Sequence, residues 1–203
     1  MSEKQTTPLK ISRNLLSTGK LNKDSGQAQA VDELNYLYAS TLNYFKKKWL
    51  FWTPSKIPKG LYLFGGVGRG KTMLMDLFFT ACPKGEKQRL HFHDFMALAH
   101  DLINEARKAN SEDPIETAAK RIIQNGKIVC FDEMEVRDIA DAMIVSRLFA
   151  SLWQRGMVLI ATSNRHPDEL YKNGLHRDRF IPFLTELKSK MRIIDIKEGD
   201  DFR

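Results

Sequence analysis

The sequence predicts an α/β fold, a parallel sheet layered between helices, from three stretches. The apolar run Leu61-Tyr62-Leu63-Phe64 passes through Gly65-Gly66-Val67-Gly68-Arg69-Gly70-Lys71-Thr72 into residues 72–79, which hold no Gly or Pro and read as a helix. Ile128-Val129-Cys130-Phe131 is an apolar run of buried-strand length that ends in Asp132-Glu133. Val158-Leu159-Ile160-Ala161 is another, ending in Thr162-Ser163-Asn164. Helix-length segments separate the three, so each strand is followed by a crossover.

The glycine-rich stretch meets every fixed position of G-x-x-x-x-G-K-[ST], between a strand and a helix. Its glycines let successive backbone N–H groups turn inward around an anion, and the following helix adds the positive end of its dipole. The plain alternative is an accidental glycine turn, but the full match in strand–loop–helix context argues against it. Gly65, Gly66, Val67, Gly68, Arg69 and Gly70 are therefore read as the cradle for the phosphates of ATP. Lys71 is read as reaching the β- and γ-phosphates, and Thr72 as a Mg2+ ligand.

With 203 residues, the chain suffices for one generous domain, or for one domain and an extension. A hydrophobic share of 42% beside 28% charged residues is that of a globular protein. No apolar run approaches the roughly 20 residues of a membrane span. The N-terminus lacks the apolar stretch of a secretory signal. It is Ser/Thr/Lys-rich up to Lys23, but without the amphipathic arginine pattern of a mitochondrial targeting segment. Cys82 and Cys130 are the only cysteines and form no C-x-x-C, so a reducing cytoplasm is the expected compartment.

The net charge of +7 is unevenly placed. Residues 1–60 carry ten Lys/Arg against four Asp/Glu, whereas residues 61–203 carry 22 against 21. The expected organisation is a basic N-terminal extension over 1–59, with an amphipathic helix and a Pro-containing linker, and an ATP-binding core over 60–203.

In chain order, residues 1–26 read as a loose polar lead-in. From 27 to about 52 apolar residues recur every three or four positions, which predicts an amphipathic helix. That helix ends in Lys46-Lys47-Lys48-Trp49-Leu50-Phe51-Trp52, ahead of the linker. Lysine contacts to phosphate with stacked or inserted tryptophans would make this block touch nucleic acid or a membrane. A helix end packed on the body, its lysines complementing the dipole, is the favoured reading.

Arg89-Leu90-His91-Phe92-His93 alternates as a second strand would, with both histidines on one face. No third ligand lies nearby in sequence, so structural histidines are expected rather than a metal pair. A helix follows over 95–108, and Asp113-Pro114 opens another that closes at Asn125-Gly126.

The acidic pair at the end of the Ile128 strand falls where ligands lie in open α/β sheets. Asp132 is read as holding Mg2+, and Glu133 as orienting and polarising the water that attacks the γ-phosphate. A helix is expected over 136–155. Asn164, at the tip of the next strand, is placed to sense the γ-phosphate; on local grounds alone it is a turn-forming Asn before His166-Pro167. A short helix is expected over 167–172, closed at Asn173-Gly174. Arg177 and Arg179 stand beside a new helix start, where one of them could reach a neighbouring subunit's γ-phosphate. The alternative is a surface arginine paired with Asp178 or Glu186. Met191-Arg192-Ile193-Ile194-Asp195-Ile196 is a fifth strand.

The chain resembles the AAA+ ATPases, and among them the ZapE-type cell-division ATPases and their mitochondrial AFG1-like, or LACE-type, relatives. The resemblance covers roughly residues 27–203. It rests on Gly60 through Thr72, on Arg89-Leu90-His91-Phe92-His93, on Phe131-Asp132-Glu133 and on Asp138-Ile139-Ala140-Asp141-Ala142-Met143. Ala161-Thr162-Ser163-Asn164, Pro167-Asp168-Glu169-Leu170-Tyr171 and Asn173-Gly174-Leu175 with Arg177 and Arg179-Phe180 complete it. It implies a P-loop NTPase fold with a five-stranded parallel sheet in three α/β/α layers. It also implies Mg2+-dependent ATP hydrolysis in a ring-like homo-oligomer, and protein partners, the FtsZ division ring among them. By position Arg179 best matches the family's arginine finger and Arg177 comes second. The family's helical lid is expected to be absent, because only residues 197–203 follow the fifth strand.

The expected function is an ATPase acting on a protein partner. The alternatives are a nucleotide-dependent binding module with little turnover and a mitochondrial-type quality-control ATPase. A P-loop kinase is disfavoured, because Glu133 suits water activation.

Overall fold

A computed structural model describes residues 7–18, 25–50 and 56–196, with only the backbone of 25–26 and 47–50. The first helix, α1 (Pro8–Ser17), lies where a loose lead-in was expected. Pro8 opens it, and the Thr7 hydroxyl accepts from the Lys10 N–H at 3.3 Å, a capped start that outweighs the polar composition. Then follow α2 (Ser25–Leu50), β1 (Gly60–Phe64), α3 (Lys71–Ala81), β2 (Lys87–His91), α4 (Phe92–Lys108), α5 (Pro114–Ile123), β3 (Ile128–Asp132), α6 (Ile139–Gln154), β4 (Val158–Ser163), α7 (Ile181–Lys190) and β5 (Met191–Asp195). Of the basic-aromatic block, all side chains beyond Lys46 lie outside the described residues.

Three boundaries differ from the sequence reading. The alternation at 89–93 is strand only as far as His91. Phe92, Phe95, Met96 and Ala99 are all buried on one helical face, so α4 claims Phe92 and carries His93 away from the strand. The helix expected from 136 starts at Ile139, because Asp138 caps it by accepting from the Ala140 N–H. The helix expected at 167–172 is a single 3₁₀ turn, Pro167–Glu169.

The five strands are all parallel and run in the order β2-β3-β4-β1-β5, the five-stranded sheet anticipated. Phe64 pairs with Ser163 and His91 with Asp132, so every strand ends at the same edge. The chain order reverses around β1, between β4 and β5, and such reversals leave crevices at carboxyl ends.

The two-residue repeat of the strands sorts side chains into two cores. Tyr62, Val129, Phe131, Leu159 and Ala161 face α4, α5, α6 and α7. Leu61, Leu63, Ile128, Cys130, Val158 and Ile160 face α3, together with Ala30, Val31, Leu34, Leu37 and Tyr38 of α2. The first core is aromatic: Phe95 and Phe131 lie 4.6 Å apart between ring centroids, and Phe149 touches both. Burial pushes the Cys82 thiol up to about 12, so it packs as a neutral hydrophobe.

Candidate functional site

The loop leaving β1 owes its shape to residues that no side chain could replace. At Gly65 (φ 155°) a Cβ would stand 2.7 Å from the Ile196 carbonyl. Gly70 is left-handed at φ 75° and lies against Gln27 of α2, whose Nε2 donates to the Arg69 carbonyl at 3.3 Å. The first turn of α2 thus buttresses the loop, a contact the sequence reading did not foresee.

Lys71 opens α3 and curls back on the loop, Nζ donating to the carbonyls of Gly65 (2.7 Å) and Gly66 (2.6 Å). Burial lowers its pKa from the usual lysine range; nearby Glu133 opposes that shift and Arg69 adds to it. Gly66, Val67, Gly68 and Thr72 are exposed.

Across the cleft, the end of β3 places Asp132 at 9% exposure and Glu133 in the open. Thr72, Arg89, Leu90, His91, Asp132 and Glu133 line one cleft of about 450 Å³. Lys71 and the acidic pair therefore belong to the same end of the sheet. A second hollow of about 790 Å³ continues past His91, Asp132 and Glu133 towards α4 and the start of α6. His91 and His93 are exposed on its wall. Among the described residues no three side chains are grouped to hold a metal.

Glu133 is left-handed at φ 53°, which is uncommon for a residue with a Cβ. The tip of β4 holds it there. The Glu133 N–H donates to Thr162 Oγ1 at 3.1 Å, and the Met134 N–H to the Thr162 carbonyl at 2.7 Å. Ser163 Oγ donates to the Met134 carbonyl at 2.9 Å. Neither hydroxyl was singled out from sequence; a polar pair at the end of a wholly buried strand was the available signal. Thr162→Val removes the first contact at nearly constant shape and leaves a donor unmatched. It is expected to cost about 1–3 kcal/mol in denaturant unfolding, most of which Thr162→Ser should recover.

Arg89 was also missed. From the edge strand β2 its Nε and Nη2 reach the two oxygens of Asp132 at 2.6 and 3.1 Å, while Nη1 bonds Asp76 on α3. One guanidinium thus ties the loop helix to the acidic strand tip, and these hydrogen bonds, that of Asp132 foremost, raise its pKa further.

The remaining candidates are not among the residues that line this cleft. Asn164 is exposed just beyond β4. Arg177 and Arg179 form a 3₁₀ turn before α7, and neither lines the cleft. Arg177 pairs with neither Asp178 nor Glu186; it donates to the carbonyls of Tyr171 (3.1 Å) and Asp168 (2.6 Å). Arg179 is exposed and forms no side-chain ion pair among the described residues.

Comparison with known proteins identifies the family and the fold. The AFG1-like ATPase family model matches residues 6–203. Cell division protein ZapE of Escherichia coli (strain K12) is 38% identical over 212 residues, covering 97% of this chain and 56% of that protein. Lactation elevated protein 1 homolog B of Danio rerio is 46% identical over 155 residues, covering 72% of this chain and 31% of that one. The chain thus spans about half the length of the first of these relatives, and less of the second. Two solved structures share the fold: AMPPCP-bound DnaA from Aquifex aeolicus (TM-score 0.57, 14% identity, 96% of this chain and 51% of that) and the DnaC helicase loader (TM-score 0.58, 15% identity, 87% and 93%). Their likeness is one of architecture, the α/β/α sandwich of AAA+-type P-loop proteins. With the family model running over almost the whole sequence and the ZapE identity spread along it, the chain belongs to the AFG1-like ATPase family.

Proposed function

We propose that this chain binds Mg2+ and ATP between residues 65–72 and the end of β3, and hydrolyses the bond between the β- and γ-phosphates to give ADP and phosphate. The observation that carries the reading is the single cleft on which Thr72, Asp132 and Glu133 converge, with Lys71 directly before Thr72. The groups present fit the ligand: a hydroxyl and a carboxylate are hard oxygen ligands, and a lysine beside inward-turned amides suits phosphate. Thr72 and Asp132 would hold the Mg2+, which when bound offsets charge on the β- and γ-phosphates. Gly65 to Gly70 wrap the phosphates, and Lys71 leaves its two carbonyls to meet them. Glu133 directs a water in line with the γ-phosphate and accepts its proton at the carboxylate. Asn164 reads the γ-phosphate from the β4 tip. Arg179, free of any ion pair among the described residues, serves a neighbouring copy better than the internally bonded Arg177.

On this reading residues 60–203 are the ATP-binding core, and the basic segment 1–59, whose α2 packs against that core, is an extension with its outer side turned to partners. The relative named a cell division protein supports a protein partner in division, the FtsZ ring being the first to test, and the free thiols of Cys82 and Cys130 suit a cytoplasmic setting. Phosphate release from Mg-ATP tests the activity. Lys71→Ala should weaken ATP binding at least about tenfold, through loss of charge-assisted bonds. Equal affinity in the two proteins overturns the reading. Nucleotide binding without phosphate release would favour a scaffold, and light scattering with ATP would reveal any ring.

A further inference from the structure

We infer that Arg89 is an electrostatic gate on the metal position: it keeps a divalent cation out of the cleft until nucleotide phosphates arrive. The inference rests on the reading of Thr72 and Asp132 as the metal position. Both Asp132 oxygens are already engaged by the Arg89 fork, at 2.6 and 3.1 Å. The pair is largely shielded, with side-chain exposures of 24% for Arg89 and 12% for Asp132, so the guanidinium charge bears on Asp132 with little screening by water. Arg89 also lines the cleft beside Thr72, which puts its charge on the ground the cation must occupy. Asp76 holds the far end of the guanidinium, so the fork is anchored at both ends.

The charges around the nucleotide-free cleft nearly cancel. Asp76, Asp132 and Glu133 face Arg69, Lys71 and Arg89, and a free dication gains little by entering. A triphosphate brings several negative charges, and the same dication then enters with its phosphates. Arg89 keeps its place on Asp132 in both states and orients the carboxylate. Metal occupancy thereby becomes conditional on nucleotide, and Arg89 acts as a positioning residue with a charge function.

Mn2+ binding to the nucleotide-free chain, followed by electron paramagnetic resonance, tests this with the metal alone as probe. Arg89→Gln keeps a hydrogen-bonding side chain and removes the charge; it should bind Mn2+ at least about tenfold more tightly than the parent, a lower bound set by one unit charge a few ångströms away in bulk water. Arg89→Lys keeps the charge without the fork, and its affinity should stay within about twofold of the parent's if charge is the operative property. Equal Mn2+ affinity in the parent and Arg89→Gln overturns the gate, as does a gain in Arg89→Lys matching that of Arg89→Gln. Should Arg89→Gln not fold alone because Asp132 has lost its partner, Mn2+ must restore its cooperative thermal unfolding, and failure to do so also overturns the gate. Failure of the underlying reading looks different: Asp132→Asn would then bind Mn2+ with ATP as tightly as the parent.

Discussion

Glu133→Gln is expected to keep ATP bound at parental affinity while phosphate release slows by about a hundredfold or more, the usual worth of a positioned general base. The substitution is close to isosteric, and the unusual backbone at this residue is fixed from outside it. The bonds from Thr162 are to main-chain atoms of Glu133 and Met134, which glutamine retains. The amide can still hydrogen-bond a water but cannot take its proton. Loss of turnover without loss of binding therefore isolates the carboxylate. Single-turnover phosphate release, beside titration with a fluorescent nucleotide, separates the two quantities. Turnover equal to the parent's would remove Glu133 from the mechanism.

Phe149→Ala is expected to destabilise the fold by about 3–5 kcal/mol, a large share of a typical domain's stability. For a chain of this size that corresponds to a fall of roughly 6–20 °C in thermal midpoint. Phe149 is wholly buried on α6, and its ring meets Phe92, Phe95, Phe131, Trp153 and Phe183 at centroid distances of 5.2 to 6.4 Å. No single neighbour can move to fill the space without leaving another. Because Phe131 immediately precedes Asp132, a loosened cluster should also lower nucleotide affinity. Phe149→Leu, which fills more of the cavity, should recover part of both losses. Calorimetry of the three proteins checks the order.

The parts of this architecture that local chemistry dictates were legible in the sequence. The phosphate loop is a contiguous pattern, and Ile128 to Phe131 and Val158 to Ala161 are runs too apolar and too short for anything but buried strands. Their polar ends marked Asp132, Glu133 and Asn164 as candidates. The helix Pro8–Ser17 was missed because its composition is polar and its start depends on one capping threonine. The strand at 89–93 was read two residues too long, since alternation cannot show that Phe92 already shares a face with Phe95 and Met96. Arg89 and Thr162 were invisible for a different reason. Their partners lie 43 and 29 residues away, and only the assembled sheet brings them together. The two carbonyl contacts of Arg177, a candidate for a neighbour's phosphate, are likewise made only in the assembled fold.

The alternation that divides the interior into two cores also aims the acidic tip of β3. Ile128, Cys130 and Asp132 lie on the α3 side of the sheet, while Val129 and Phe131 point the other way. Adding or removing one residue within this strand would exchange the two sets, driving Phe131 against α3 and turning Asp132 away from Thr72. The strand behaves like a text with a reading frame: single-letter insertions scramble chemistry and packing together, whereas substitutions can alter one and spare the other. Length at this position is thus under tighter constraint than letter identity.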